Sequence, residues 1–136
     1  MGDKGKLTPK ETVLAFVNAI NTHDVDRLGE LMTDDHTFVD PYGSQVAGRE
    51  PMLTGWRGYF VWFPDYQIEV NYIFEHESDF GMFGFAAGSF KGSTDRSWRV
   101  PAAWKVVVRD GRIALWQVVA DTKLPFESMS GSLPNS

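Results

Sequence analysis

The chain has 136 residues, 43% hydrophobic and 14% aromatic, enough for one globular domain with a sizeable core and no need of a second. Its formal net charge of -5 disfavours a protein that grips phosphate backbones, because that affinity comes from clustered Lys and Arg, so nucleic acid is not an expected partner. Zero cysteines exclude disulfides and thiolate chemistry. No apolar run approaches the roughly 20 residues that span a bilayer, and the first residues hold no signal-type segment, so no membrane contact and a cytoplasmic location are expected.

Residues 1–7 read as a flexible arm. Thr8 then opens a helix, with Pro9 at its first position and Glu11 at capping-box spacing. Val13, Phe16, Val17 and Ile20 recur at i, i+3, i+4, i+7, so one face should bury and the helix should end near Asn21. Asp24 can cap a second, shorter helix through Met32. After Asp34 the period turns alternating, with His36, Phe38 and Asp40 on one face of a short strand; His36 is expected to be partly exposed. Asp40-Pro41 must end that strand, because proline removes a ladder donor and holds the residue before it extended.

Gly48 to Pro51 start a third helix, on which Met52, Trp56, Tyr59, Phe60 and Phe63 form an aromatic stripe. Gly55 and Gly58 inside it each cost roughly 1 kcal/mol against alanine, so a close approach to the backbone is expected there. From Tyr66 the chain reads as a meander of four long strands. Tyr66, Ile68, Val70, Tyr72 and Phe74 alternate with polar residues, Gly81, Gly84 and Gly88 predict bulges or bending, and Asp110-Gly111 predicts a tight hairpin turn. The predicted domain covers 8–126, and 127–136, small and polar, should fray.

These elements predict an α+β domain, a strongly bent antiparallel sheet wrapped around helices. LTPKETVLAFVNAINTHDVDRLGELMTDDHTFVDPYGSQVAGRE, the aromatic helix and the W-x-x-x-x-x-DG-x-I-x-x-W pattern from Trp104 to Trp116 resemble the SnoaL-like and ketosteroid-isomerase-like families, within the superfamily named after nuclear transport factor 2. The resemblance covers about Thr8 to Leu124 and implies the NTF2-like cone. It also implies that Asp40 is a general base and that Asp121, near the end of the last strand, is an acid/base candidate. Ketosteroid isomerases further polarise a carbonyl with a tyrosine and a protonated aspartic acid; an ungapped alignment sets Phe16 and Ala103 at those positions, neither a donor, so a true ketosteroid isomerase is not expected.

The expected function is therefore cofactor-independent acid/base chemistry, of isomerase, cyclase or lyase type, on a small apolar or carbonyl-bearing molecule, with Asp40 as proton acceptor and Tyr59 or an indole N–H as polariser. Phe16, Phe38, Trp56, Phe60, Phe63, Trp104 and Trp116 are the expected ligand wall. The alternative is a non-catalytic ligand-binding or dimerisation module. His23, His36 and His76 are dispersed, so no metal site is expected. Apolar residues at both parities of the long strands predict a homodimer through the sheet.

Overall fold

The computed structural model describes residues 6–121 and 123–130. Helix α1 (Pro9–Asn21) begins as its sequence requires: Thr8 Oγ1 accepts from the Glu11 N–H at 3.1 Å and Glu11 Oε1 accepts from the Thr8 N–H at 2.9 Å. It buries Val13, Phe16, Ala19 and Ile20. Helix α2 (Val25–Glu30), capped by Asp24, stops short of the expected Met32. The Ile113 N–H donates to the Leu31 carbonyl at 2.6 Å, which draws the chain into a strand, β1 (Met32–Val39), one residue later.

The remaining strands are β2 (Gln45–Ala47), β3 (Gln67–His76), β4 (Asp79–Ser89), β5 (Ser97–Arg109) and β6 (Arg112–Ala120). They form one curved sheet in the order β2-β1-β6-β5-β4-β3, antiparallel throughout except that β1 runs parallel to β6. The short β2 went unpredicted; it folds back on β1 through the Asp40–Ser44 turn. Asp110 and Gly111 take φ of 54° and 74°, the left-handed pair that a tight β5–β6 hairpin needs.

A slip in register gives β3 its shape. Val70 pairs with Gly84 and Tyr72 with Phe83, so Asn71 is an extra residue on β3. A strand's side chains alternate, and one inserted residue exchanges the faces. Ile68 therefore points into the core while Tyr72 and Phe74 turn out to solvent, which corrects the expectation of one apolar face from Tyr66 to Phe74. The bulge also explains Gly84: a Cβ there would lie 1.7 Å from the Glu69 carbonyl oxygen.

Helix α3 (Arg49–Trp62) covers the concave side of the sheet together with α1, and the buried aliphatic and aromatic residues form one continuous core. Its glycines do not serve close approach as expected, since a Cβ at Gly58 would meet nothing within 4 Å and one at Gly55 only ordinary contact with Met52. A further helix, α4 (Lys123–Ser130), crosses into the stretch expected to fray from Glu127. Ser128 is fully buried there and its carbonyl accepts from Arg96 Nη1 at 3.0 Å, contacts from a distant loop that local composition does not record. Residues 131–136 lie outside the described residues.

Candidate functional site

The site begins where β1 gives out. Asp40 closes the turn to β2: its N–H donates to the Ser44 carbonyl at 2.9 Å, and its Oδ1 accepts from the backbone N–H groups of Tyr42 at 2.8 Å and Ser44 at 3.0 Å. Gly43, at φ +87°, supplies the left-handed step. Asp40 is thus a turn former, and it also borders a cavity of about 360 Å³ between α3 and the sheet. One carboxylate oxygen organises the loop; among the described residues the other has no partner.

Helix α3 supplies one wall through Met52, Gly55, Trp56, Tyr59 and the flanking Phe63. The sheet supplies the other. Trp98, Val100 and Trp104 share one parity of β5, and Trp116 and Val118 face the same way from β6. Phe38 lies beside them on β1. Asp121 follows β6 directly and stands at the same cavity, its Oδ1 accepting from the Lys123 N–H at 2.9 Å. Pro125 and Met129 bring α4 onto the lining.

Of the residues expected at a site, Asp40, Tyr59, Asp121, Phe38, Trp56, Phe63, Trp104 and Trp116 therefore line one cavity. Phe16 and Phe60 do not. Phe16 is fully buried behind the lining, its ring 4.8 Å from that of Trp116. Phe60 stacks on His23 at 4.0 Å and on Trp56 at 5.3 Å, bracing the helical wall from outside. Ala103 points to the other face of β5, where it pairs with Phe83 and Val119, so the inward residue at that level is Trp104. His36, expected to be partly exposed, is wholly buried. Its Nδ1 bonds the Ile113 carbonyl at 2.8 Å while Nε2 finds no partner among the described residues, and burial holds its pKa below the ordinary value.

Sequence reasoning missed Tyr66 and Trp98 as lining residues. The periodicity of β5 placed Trp98 in phase with Trp104, and that was the available signal. Tyr66 lies in the link from α3 to β3 and is positioned by a remote clamp: the His23 ring bonds its carbonyl through Nε2 at 2.8 Å, and the Asn21 side chain accepts from the Ile68 N–H at 2.8 Å and donates to the Ile68 carbonyl at 2.9 Å. The rings of Tyr59 and Tyr66 meet edge to face at 4.9 Å. Burial raises the pKa of both phenols, and the neighbouring Tyr59 hydroxyl adds to the rise at Tyr66. Both stay protonated near neutral pH and can donate a hydrogen bond. The indole N–H groups of Trp56 and Trp98 are buried without an acceptor among the described residues, an arrangement that typically costs about 1–3 kcal/mol per group.

Among the described residues no group of three His, Asp or Glu stands close enough to hold a metal ion, and no helix is long and apolar enough to cross a membrane. The model of the SnoaL-like domain matches residues 13–116, and the chain belongs to that family. Its fold is shared with a protein of ketosteroid isomerase-like fold from Catenulispora acidiphila in complex with trimethylamine, at 22% identity and TM-score 0.78 over 93% of this chain and 96% of that one. A SnoaL-like polyketide cyclase from Jannaschia has TM-score 0.78 at 18% identity, over 93% and 92% of the two chains. IdmH from Streptomyces antibioticus, described as a polyketide cyclase from its likeness to that class, has TM-score 0.75 at 24% identity, over 91% and 99%. A search of curated proteins finds no match.

Proposed function

We propose that this protein is a cofactor-independent enzyme that moves a proton on a small, largely apolar organic molecule, in an isomerisation, cyclisation or elimination. The observation that carries the reading is the placement of Asp40, a carboxylate with one unengaged oxygen, on an aromatic cavity that also holds the protonated phenols of Tyr59 and Tyr66. Asp40 accepts a proton from a substrate carbon, a phenol donates a hydrogen bond to the oxygen on which negative charge builds, and Asp121 is a second acid/base at the same cavity. The SnoaL-like family and the polyketide cyclases of the same fold support this class of chemistry.

A second reading, a binding or assembly module without catalysis, is favoured by Phe16, which puts no donor where ketosteroid isomerases carry a tyrosine. Under either reading the protein acts as a homodimer through the outer face of its sheet. A panel of enolisable ketones and polyketide-like aromatics incubated with wild type and Asp40→Asn separates the two: turnover by wild type that the variant loses supports catalysis, and unchanged binding with no turnover by either supports the module.

A further inference from the structure

All five tryptophans of the chain line this one cavity. They run from Trp62, 46% exposed, through Trp56 and Trp98 to Trp104 and Trp116, each 2% exposed. Among the described residues, the charged side chains that reach the cavity are Asp40 and Asp121, and no Lys, Arg or His lines it. Arg96 is engaged by the Ser128 carbonyl, Arg49 by Asp34 and the Met32 carbonyl, and Arg99 by Glu69 and the face of Phe85.

This distribution decides the sign of charge that the site accepts. An anionic ligand would meet two carboxylates at the rim, with no cation among the described lining residues to compensate. A neutral apolar ligand would be tolerated, but it draws no binding energy from the charge of the carboxylates. Indole is the aromatic ring that attracts a cation best, and the attraction strengthens where water is excluded. We propose that the ligand is an organic cation, a protonated amine or quaternary ammonium on an apolar body, held by the indoles and by the unengaged oxygens of Asp40 and Asp121. A cavity of about 360 Å³ suits a body of one or two rings. The inference rests on the cavity being a small-molecule site, as in the proposed function, and not on its being catalytic.

The test uses the cavity's own fluorophores. Wild-type protein is titrated with benzyltrimethylammonium, with its neutral isostere neopentylbenzene and with the anion phenylmethanesulfonate, reading tryptophan emission and, in parallel, heat. The cation is expected to bind at least about tenfold more tightly than the isostere, roughly the cation–π contribution of a desolvated site, and the sulfonate not to bind. Asp40→Asn should weaken the cation about tenfold and leave the isostere nearly unchanged, whereas Trp98→Leu should weaken the cation more than the isostere, with Trp98→Phe intermediate. Equal or tighter binding of the isostere, or any binding of the sulfonate, overturns the cation inference and leaves the apolar site standing. If none of the three binds, both the inference and the small-molecule reading fall.

Discussion

Asp40 carries two duties that one substitution can separate. Asparagine keeps an oxygen able to accept from the Tyr42 and Ser44 N–H groups, so Asp40→Asn should fold with nearly unchanged stability while turnover of an identified substrate falls about 10²- to 10⁴-fold. Denaturant unfolding and steady-state rates, measured on the same preparation, check the two halves. His36 poses a different question at the same scale. Its folded pKa is depressed, mainly by burial, so on acidification the unfolded chain takes up a proton near the ordinary histidine value of about 6.5 while the folded chain resists. Stability is thus fully present above about pH 6.5. It should fall toward the lower folded pKa, by up to about 1.4 kcal/mol per pH unit, before the carboxylates titrate. Unfolding curves at pH 7.5, 6 and 5 should show that slope, and a His36→Gln variant should lack most of it.

At the scale of elements, the β3 bulge and its glycine act as one unit. Gly84→Ala would drive a methyl into the Glu69 carbonyl, and backbone cannot yield as a side-chain tip can. A loss of about 3 kcal/mol or more is expected in urea unfolding, beyond the usual range for overpacking, whereas Gly81→Ala, with open space at its Cβ, should cost far less. The Asn21 clamp joins α1 to β3 by imitating a strand partner for Ile68. Asn21→Ala should destabilise by about 1–3 kcal/mol, the cost of leaving part-buried donors and acceptors unpaired.

Across the whole molecule, the bulge has a consequence for assembly. With the faces of β3 exchanged, Tyr72 falls in register with Phe83, Phe83 with Ala103, and Ala103 with Val119, one apolar row across four strands on the side away from the helices. Tyr72 is 64% exposed, Phe83 52% and Val119 57%. Such a contiguous band is the kind of surface that a second copy covers. Light scattering should give twice the chain mass at tens of micromolar, an ordinary affinity range for such contacts. Phe83→Lys combined with Val119→Lys should return the monomer without disturbing the cavity on the opposite face. A monomeric wild type at that concentration would remove the dimer from the proposal.

Local patterns sufficed for much of this protein. The capping box at Thr8, the stripe on α3, the alternation of β5 and the Asp110-Gly111 turn each depend on neighbours in sequence, so helix starts, strand phases and the aromatic wall were legible there. Asp40 was legible too, because proline makes it terminal on its strand. Only the tertiary structure decided the rest, and for one reason: those outcomes rest on contacts between residues far apart in the chain. The Leu31 carbonyl is claimed by β6, which ends α2 early; Asn71 is extruded because β4 pairs on both sides of it; Phe16 lies behind Trp116 instead of beside a ligand. Tyr66 is held at the cavity by a clamp from the end of α1 and from His23 just after it, and α4 is held by Arg96 from another loop. Periodicity says which face of an element is apolar, but whether that face meets a core, a cavity or a second chain depends on what the fold brings opposite it.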